Sequence, residues 1–176
     1  MREVFCGVTR KGGTLFFMED TKICSFFGHR EIEESEALSE ELRCAVLNVL
    51  NRGCRIFYFG GFGDFDALAH KIVTETKDAR KDIEIKRIYC VHSEYYLRKK
   101  HKYIKCEDYE EVIYLEPSFK SWYKSIYFRN LAMIDKSEYV IFYAENRKES
   151  GAYKAFNYAL GQKNKRIFNL FKEKPD

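Results

Sequence analysis

The residues best suited to chemistry gather where apolar runs meet polar turns. Lys22–Phe27 leads into Gly28-His29-Arg30, and Arg55–Phe59 leads into Gly60-Gly61-Phe62-Gly63-Asp64-Phe65-Asp66. Further along, Ser150-Gly151 precedes an apolar helical pattern. A buried strand, a glycine turn and a helix start bring unpaired backbone N–H groups to the positive end of a helix dipole, an arrangement that accepts anions. Glycines at 28, 60, 61 and 63 permit close approach of a phosphate to the main chain, and they equally permit a tight turn at positive φ. Arg30 adds a guanidinium whose fork matches phosphate oxygens; its alternative is a surface ion pair with Glu31 or Glu34. With His29 and Phe62 inside the same turns, two such segments on neighbouring strands define a crevice for a phosphate-bearing ligand.

Asp66 sits near the start of a helix, where it reads either as a cap or as a group facing ribose hydroxyls or an anomeric carbon. His70 lies one turn further on the same face and reads as a packed core histidine. Arg129-Asn130 interrupts an apolar helix face. The neighbouring Trp122, Tyr123, Tyr127 and Phe128 could stack a base or pack a dimer. Ser150-Gly151 offers a second anion-accepting helix start, or a plain N-cap.

These groups need a scaffold, and the periodicity supplies one. Strands are expected at Lys22–Phe27, Cys54–Phe59, Ile85–Val91, Val112–Leu115, Tyr139–Tyr143 and Arg166–Phe171, from short apolar runs rich in β-formers. Helices are expected at Ser35–Asn51, stopped by Gly53, and at Phe65–Thr76, Trp122–Lys136 and Ala152–Gln162. Alternation of this kind predicts an α/β, Rossmann-like fold, a mostly parallel sheet with helices on both faces. The expected organisation is one such domain over 21–176. Residues 1–20 read either as a hairpin added to the sheet edge around Arg10-Lys11-Gly12-Gly13 or as an extension ahead of Met18 as the natural start.

Composition narrows the class. At 176 residues, 45% hydrophobic and 16% aromatic, the chain supports a core and is not of disordered type. No apolar run reaches the roughly 20 residues of a membrane helix, and no signal peptide is recognisable, so a cytoplasmic protein without membrane association is expected. Six cysteines occur without a C-x-x-C pair, and the four histidines are scattered. Reduced, mostly buried thiols are therefore expected, with no metal and no cofactor. The net charge of +4 is modest, and the basic cluster Arg98–Lys102 is followed by the acidic stretch Glu107–Glu111. That pattern leaves single-stranded nucleic-acid binding as a lesser reading.

Gly28-His29-Arg30, Gly60-Gly61 with Phe65-Asp66 and Ala69-His70, Arg129-Asn130 with Met133, Asp135 and Ser137, and Ser150-Gly151-Ala152 occur in that order over Lys22–Asn164. Together they resemble the SLOG superfamily, which joins DNA-processing (Smf) proteins to LONELY GUY phosphoribohydrolases, and most resemble its YpsA-type branch. The resemblance implies a Rossmann-like nucleotide-binding domain with Arg129 and Asn130 facing the ligand crevice or a subunit interface, and a homo-oligomer is expected. LONELY GUY-like enzymes resemble P-G-G-x-G-T-x-x-E, whereas this chain has Phe59 for the proline, Asp64 for the threonine and Ala67 for the catalytic glutamate. Asp64 also brings a negative charge towards the expected anion cradle unless it faces away. The main expectation is a sensor or sequestering protein for a nucleoside phosphate, ADP-ribose or cyclic-nucleotide type of ligand. The enzymatic alternative is a nucleotide N-glycosidic hydrolase with Asp66 as its carboxylate, displaced by one residue and so by about 100° around the helix.

Overall fold

The computed structural model describes residues 21–92, 108–115 and 121–172. The expectations for residues 1–20 and for the basic cluster at 98–102 lie outside them. Six strands, β1 (Lys22–Gly28), β2 (Cys54–Phe59), β3 (Lys86–Val91), β4 (Glu111–Tyr114), β5 (Tyr139–Tyr143) and β6 (Arg166–Asn169), form one sheet in the order β4-β3-β2-β1-β5-β6. Every neighbouring pair is parallel. The described helices are α1 (Glu36–Asn51), α2 (Asp64–Ala79), α3 (Trp122–Lys136) and α4 (Gly151–Leu160). The result is the expected Rossmann-like α/β arrangement.

Both faces of the sheet are covered, which is why its central strands are mostly apolar, with Ser25 as a buried polar exception in β1. Side chains alternate along a strand, so Phe26 and Phe27 point to opposite faces. Phe26 stacks on Phe57 and Phe59 at 6.0 and 5.2 Å between ring centroids, beneath α1 and α2 (Leu42, Val46, Phe65, Ile72). Phe27 stacks on Phe142 at 5.4 Å, beneath α3 and α4 (Met133, Ile134, Ala155, Ala159). Alanines on α4 bring its axis close to the sheet.

The helix limits follow local chemistry. Ser35 caps α1 by accepting from Leu38 N at 3.2 Å, and Gly53 at φ +92° turns the chain out of it. Helix α2 runs three residues beyond the expected Thr76, through a polar turn in which Lys77 pairs with Glu110 at 2.6 Å. Strand β6 stops at Asn169 instead of Phe171. There the Asn169 side chain takes over the pairing, accepting from Ala144 N and donating to Ala144 O at 3.1 and 2.9 Å.

The order 4-3-2-1-5-6 reverses direction between β1 and β5. In sheets of this kind that reversal opens a crevice at the carboxyl ends of the strands, where ligands bind. Packing around it is tight on one side and open on the other. A Cβ built on Gly28 would lie 2.4 Å from the Phe65 side chain, whereas one on Gly151 meets nothing within 4 Å. Gly28→Val is therefore expected to cost about 1–3 kcal/mol through overpacking. Gly151→Ala should be neutral within about 0.5 kcal/mol. Chemical denaturation of both variants checks the pair.

Candidate functional site

A crevice of about 640 Å³ opens at the carboxyl edge of the sheet. Gly28, His29 and Arg30 line it after β1, Gly60, Phe62 and Asp66 after β2, Arg129 and Asn130 from α3, and Ser150 and Gly151 at the start of α4. Ten of the twelve site residues expected from sequence thus share one cavity; Gly61 and Gly63 belong to the same β2–α2 turn without lining it.

Asp66 organises that turn. It occupies the third position of α2 and is only 7% exposed. Its two carboxylate oxygens accept Gly60 N at 3.0 Å and Gly61 N at 2.8 Å. A carboxylate at the third helical position commonly reaches back to the backbone ahead of the helix; here it reaches past Gly63 into the glycine pair. The amides expected to cradle a ligand phosphate thus point at the protein's own anion. Burial raises the Asp66 carboxyl to about 6, against the opposing pull of the Gly60 and Gly61 amides and the nearby Arg129.

The glycines have packing reasons as well. Gly61 and Gly63 adopt φ +71° and +87°. A Cβ on Gly61 would lie 2.4 Å from the Tyr89 ring, and one on Gly63 would lie 2.7 Å from Arg30 Cα. Asp64 N donates to Arg30 O at 2.8 Å, and Asp64 Oδ2 accepts from Ile32 N at 3.3 Å. Asp64 is exposed and its charge is turned to the β1–α1 loop.

His29 ties a third loop to this assembly. Its Nε2 accepts Glu145 N at 2.9 Å, which requires an unprotonated Nε2, and burial, then Arg147, lowers its pKa. Arg129 is 2% exposed. It donates through Nη1 to Gly60 O at 2.8 Å and Cys90 O at 2.7 Å, and through Nε to Asn130 Oδ1 at 2.9 Å. Its guanidinium lies 5.7 Å from the Phe62 ring centre. Arg129 thus joins α3 to the ends of β2 and β3, beneath the crevice, while Asn130 is more exposed at its wall.

Arg30 is exposed: among the described residues no ion pair joins it to Glu31 or Glu34, and Glu34 lies 3.9 Å from Lys71 instead. Ser150 Oγ caps α4 by accepting Tyr153 N at 3.0 Å. Two cations that sequence reasoning passed over, Arg147 and Lys154, also line the crevice. Both pair locally, Arg147 with Glu145 at 2.5 Å and Lys154 with Glu149 at 3.1 Å. A helix start preceded by a charged turn was the available signal for them. His70 is half-buried, with Nε2 3.2 Å from Asp108 O and its ring 4.6 Å from that of Tyr109. Cys24, Cys54 and Cys90 are buried free thiols and Cys44 is an exposed one. Among the described residues no three ligating side chains cluster as for a metal, and no helix is long and apolar enough to cross a membrane.

Fold and crevice define a Rossmann-like domain with a switch-point site. No family model matches the chain, and no curated protein matches it. Among solved structures, it is similar to DNA processing protein A from Helicobacter pylori, with a TM-score of 0.60 over 88% of this chain and 67% of that one, at 18% identity. That structure is described for its single-stranded DNA binding mode. That likeness shows a shared Rossmann-like fold.

Two outcomes test the internal network. Asp66 binds its proton more tightly folded than unfolded, so its contribution is greatest at low pH and is lost as pH rises through about 6. Relative to Asp66→Asn, the unsubstituted protein should lose on the order of 1 kcal/mol between roughly pH 5 and pH 7, with histidine effects cancelling in the difference. Denaturant titrations across that range measure it. Arg129→Met removes the donor from two buried carbonyls and should cost about 3 kcal/mol, with Arg129→Lys recovering part of the loss; equilibrium unfolding reads both.

Proposed function

We propose that the crevice binds one nucleotide unit, with its phosphate held between Arg30 and the first turn of α4. The observation that carries this reading is the division of labour among the strand ends. The β2–α2 amides are taken by Asp66, whereas the α4 start lines the cavity, with open space where a Gly151 side chain would stand. The first N–H groups of a helix have no intrahelical partners and favour anions. Arg30, Arg147 and Lys154 lie around the same cavity. Asp66, with remaining acceptor capacity on both oxygens, suits ribose hydroxyls. A volume of about 640 Å³ suits a ligand of nucleotide size.

We read the chain as YpsA-type on its ordered motifs, Gly28-His29-Arg30 to Ser150-Gly151-Ala152. Sensing or sequestration of a free nucleotide-derived ligand is the favoured role. The N-glycosidic alternative keeps Asp66 as its carboxylate, but the two amides that hold it make framework support its first duty. Homo-oligomerisation and a cytoplasmic setting belong to the same proposal, the latter supported by the free thiols.

A second reading is that the nucleotide unit belongs to a single strand. It is supported by the single-stranded DNA binding mode described for the Helicobacter pylori protein and by exposed aromatics beside the crevice. Charge weighs against a long strand, because the lining carries four cationic side chains (Arg30, Arg129, Arg147, Lys154) and three acidic ones (Glu31, Asp66, Glu149). That near balance favours directed phosphate contacts over a broad positive field.

Calorimetry with adenosine 5′-monophosphate, adenosine and a short oligodeoxynucleotide at two salt concentrations tests these readings. The monophosphate should bind and the nucleoside should bind far more weakly, with Arg30→Gln weakening the former roughly tenfold or more. Tight oligonucleotide binding with a steep salt slope and no monophosphate binding would establish the strand reading in its place. Silence from every probe would end both.

A further inference from the structure

Helix α3 has two unlike halves. Ala132, Met133 and Ile134 near its end are buried in the core. Near its start, Tyr123 is 66% exposed, Tyr127 45% and Phe128 39%. Among the described residues only two other large hydrophobic side chains, Tyr114 and Leu160, are comparably exposed. Tyr123 and Tyr127 are four residues apart, which puts them on one face of the helix, and both line the crevice that also holds Arg30 and Gly151. Two amphipathic rings lining this cavity present flat apolar area in the same crevice as donors for an anion.

We infer that Tyr123 and Tyr127 form the platform on which the base of the bound nucleotide stacks. This rests on the nucleotide reading above and deepens it: the ligand class requires an aromatic base, and a sugar phosphate alone fills only the Arg30 and α4 end of the crevice. The cavity's chemistry selects this occupant over an apolar peptide or a lipid. Its cationic and helix-terminal donors call for an anion, its tyrosines for a planar partner, and its size for one such unit. Stacking on tyrosine tolerates any base, so the platform predicts weak discrimination among the four bases.

Matched probes with and without a base decide the matter: adenosine 5′-monophosphate against ribose 5-phosphate, and a short oligodeoxyadenylate against an abasic oligomer of the same length. The base-bearing member should bind about tenfold more tightly in whichever pair binds. The double variant Tyr123→Ala, Tyr127→Ala should erase that preference while leaving the base-free probe unchanged. Replacement of both by phenylalanine should retain it, since the ring is kept. Equal binding of the two members of a pair, or a preference that survives the alanine variant, overturns the platform while leaving the phosphate site standing. Failure of all four probes removes the nucleotide reading and the platform with it.

Discussion

Closure of the β2–α2 turn depends on the Asp66 carboxylate, which receives the N–H groups of Gly60 and Gly61 as the chain swings from strand to helix. Gly60 N is buried just past the end of β2, where an unmade hydrogen bond would cost about 1–3 kcal/mol. Arg129 completes the same knot from the other side by donating to Gly60 O and Cys90 O. One peptide segment thereby has its donors held by an anion and its acceptor held by a cation, and α2, α3, β2 and β3 are fixed to one another. Burial of Asp66 is tolerated because its partners compensate most of the lost hydration.

This knot decides the polarity of the crevice. A strand, a glycine pair and a helix start would ordinarily present amides to an incoming phosphate, but here the protein supplies its own carboxylate to them. Negative charge is thus built into the β2 side. The β1–α1 turn and the start of α4, to which the nucleotide reading assigns the phosphate, flank the reversal of strand order between β1 and β5. His29 keeps those two loops together by accepting Glu145 N. The turns are therefore parts of one mechanical unit, and four of its glycines answer to a neighbour: Phe65 for Gly28, Arg129 for Gly60, Tyr89 for Gly61 and Arg30 for Gly63.

Similarity to DNA processing protein A at 18% identity shows how little sequence an α/β fold of this type constrains. A parallel sheet covered on both faces needs apolar strands and one apolar stripe per helix, which many sequences supply. Function resides in the few residues at the strand ends. In this chain those residues balance cations against carboxylates and add two exposed tyrosines.

Much of the architecture was legible in the chain by itself. Nearly continuous apolar runs such as Cys54–Phe59, interrupted only by Arg55 and preceded by a helical stripe ending at Gly53, determine alternating strands and helices, because hydrophobic periodicity and caps act over a few residues. The same local signals brought Gly28, His29, Arg30, Asp66 and Ser150 into one site. Which partner each group would take was not legible. Only the folded chain shows that Asp66 accepts from Gly60 and Gly61, that Arg129 donates to Gly60 and Cys90, and that Asp64 accepts from Ile32. Arg147 and Lys154 joined the crevice for the same reason, since their place in it depends on β5 lying beside β1. Such pairings join residues remote in the chain, some 69 positions apart for Arg129 and Gly60. Hydrogen bonds at that separation are decided by how strands and helices pack, and no local pattern records them.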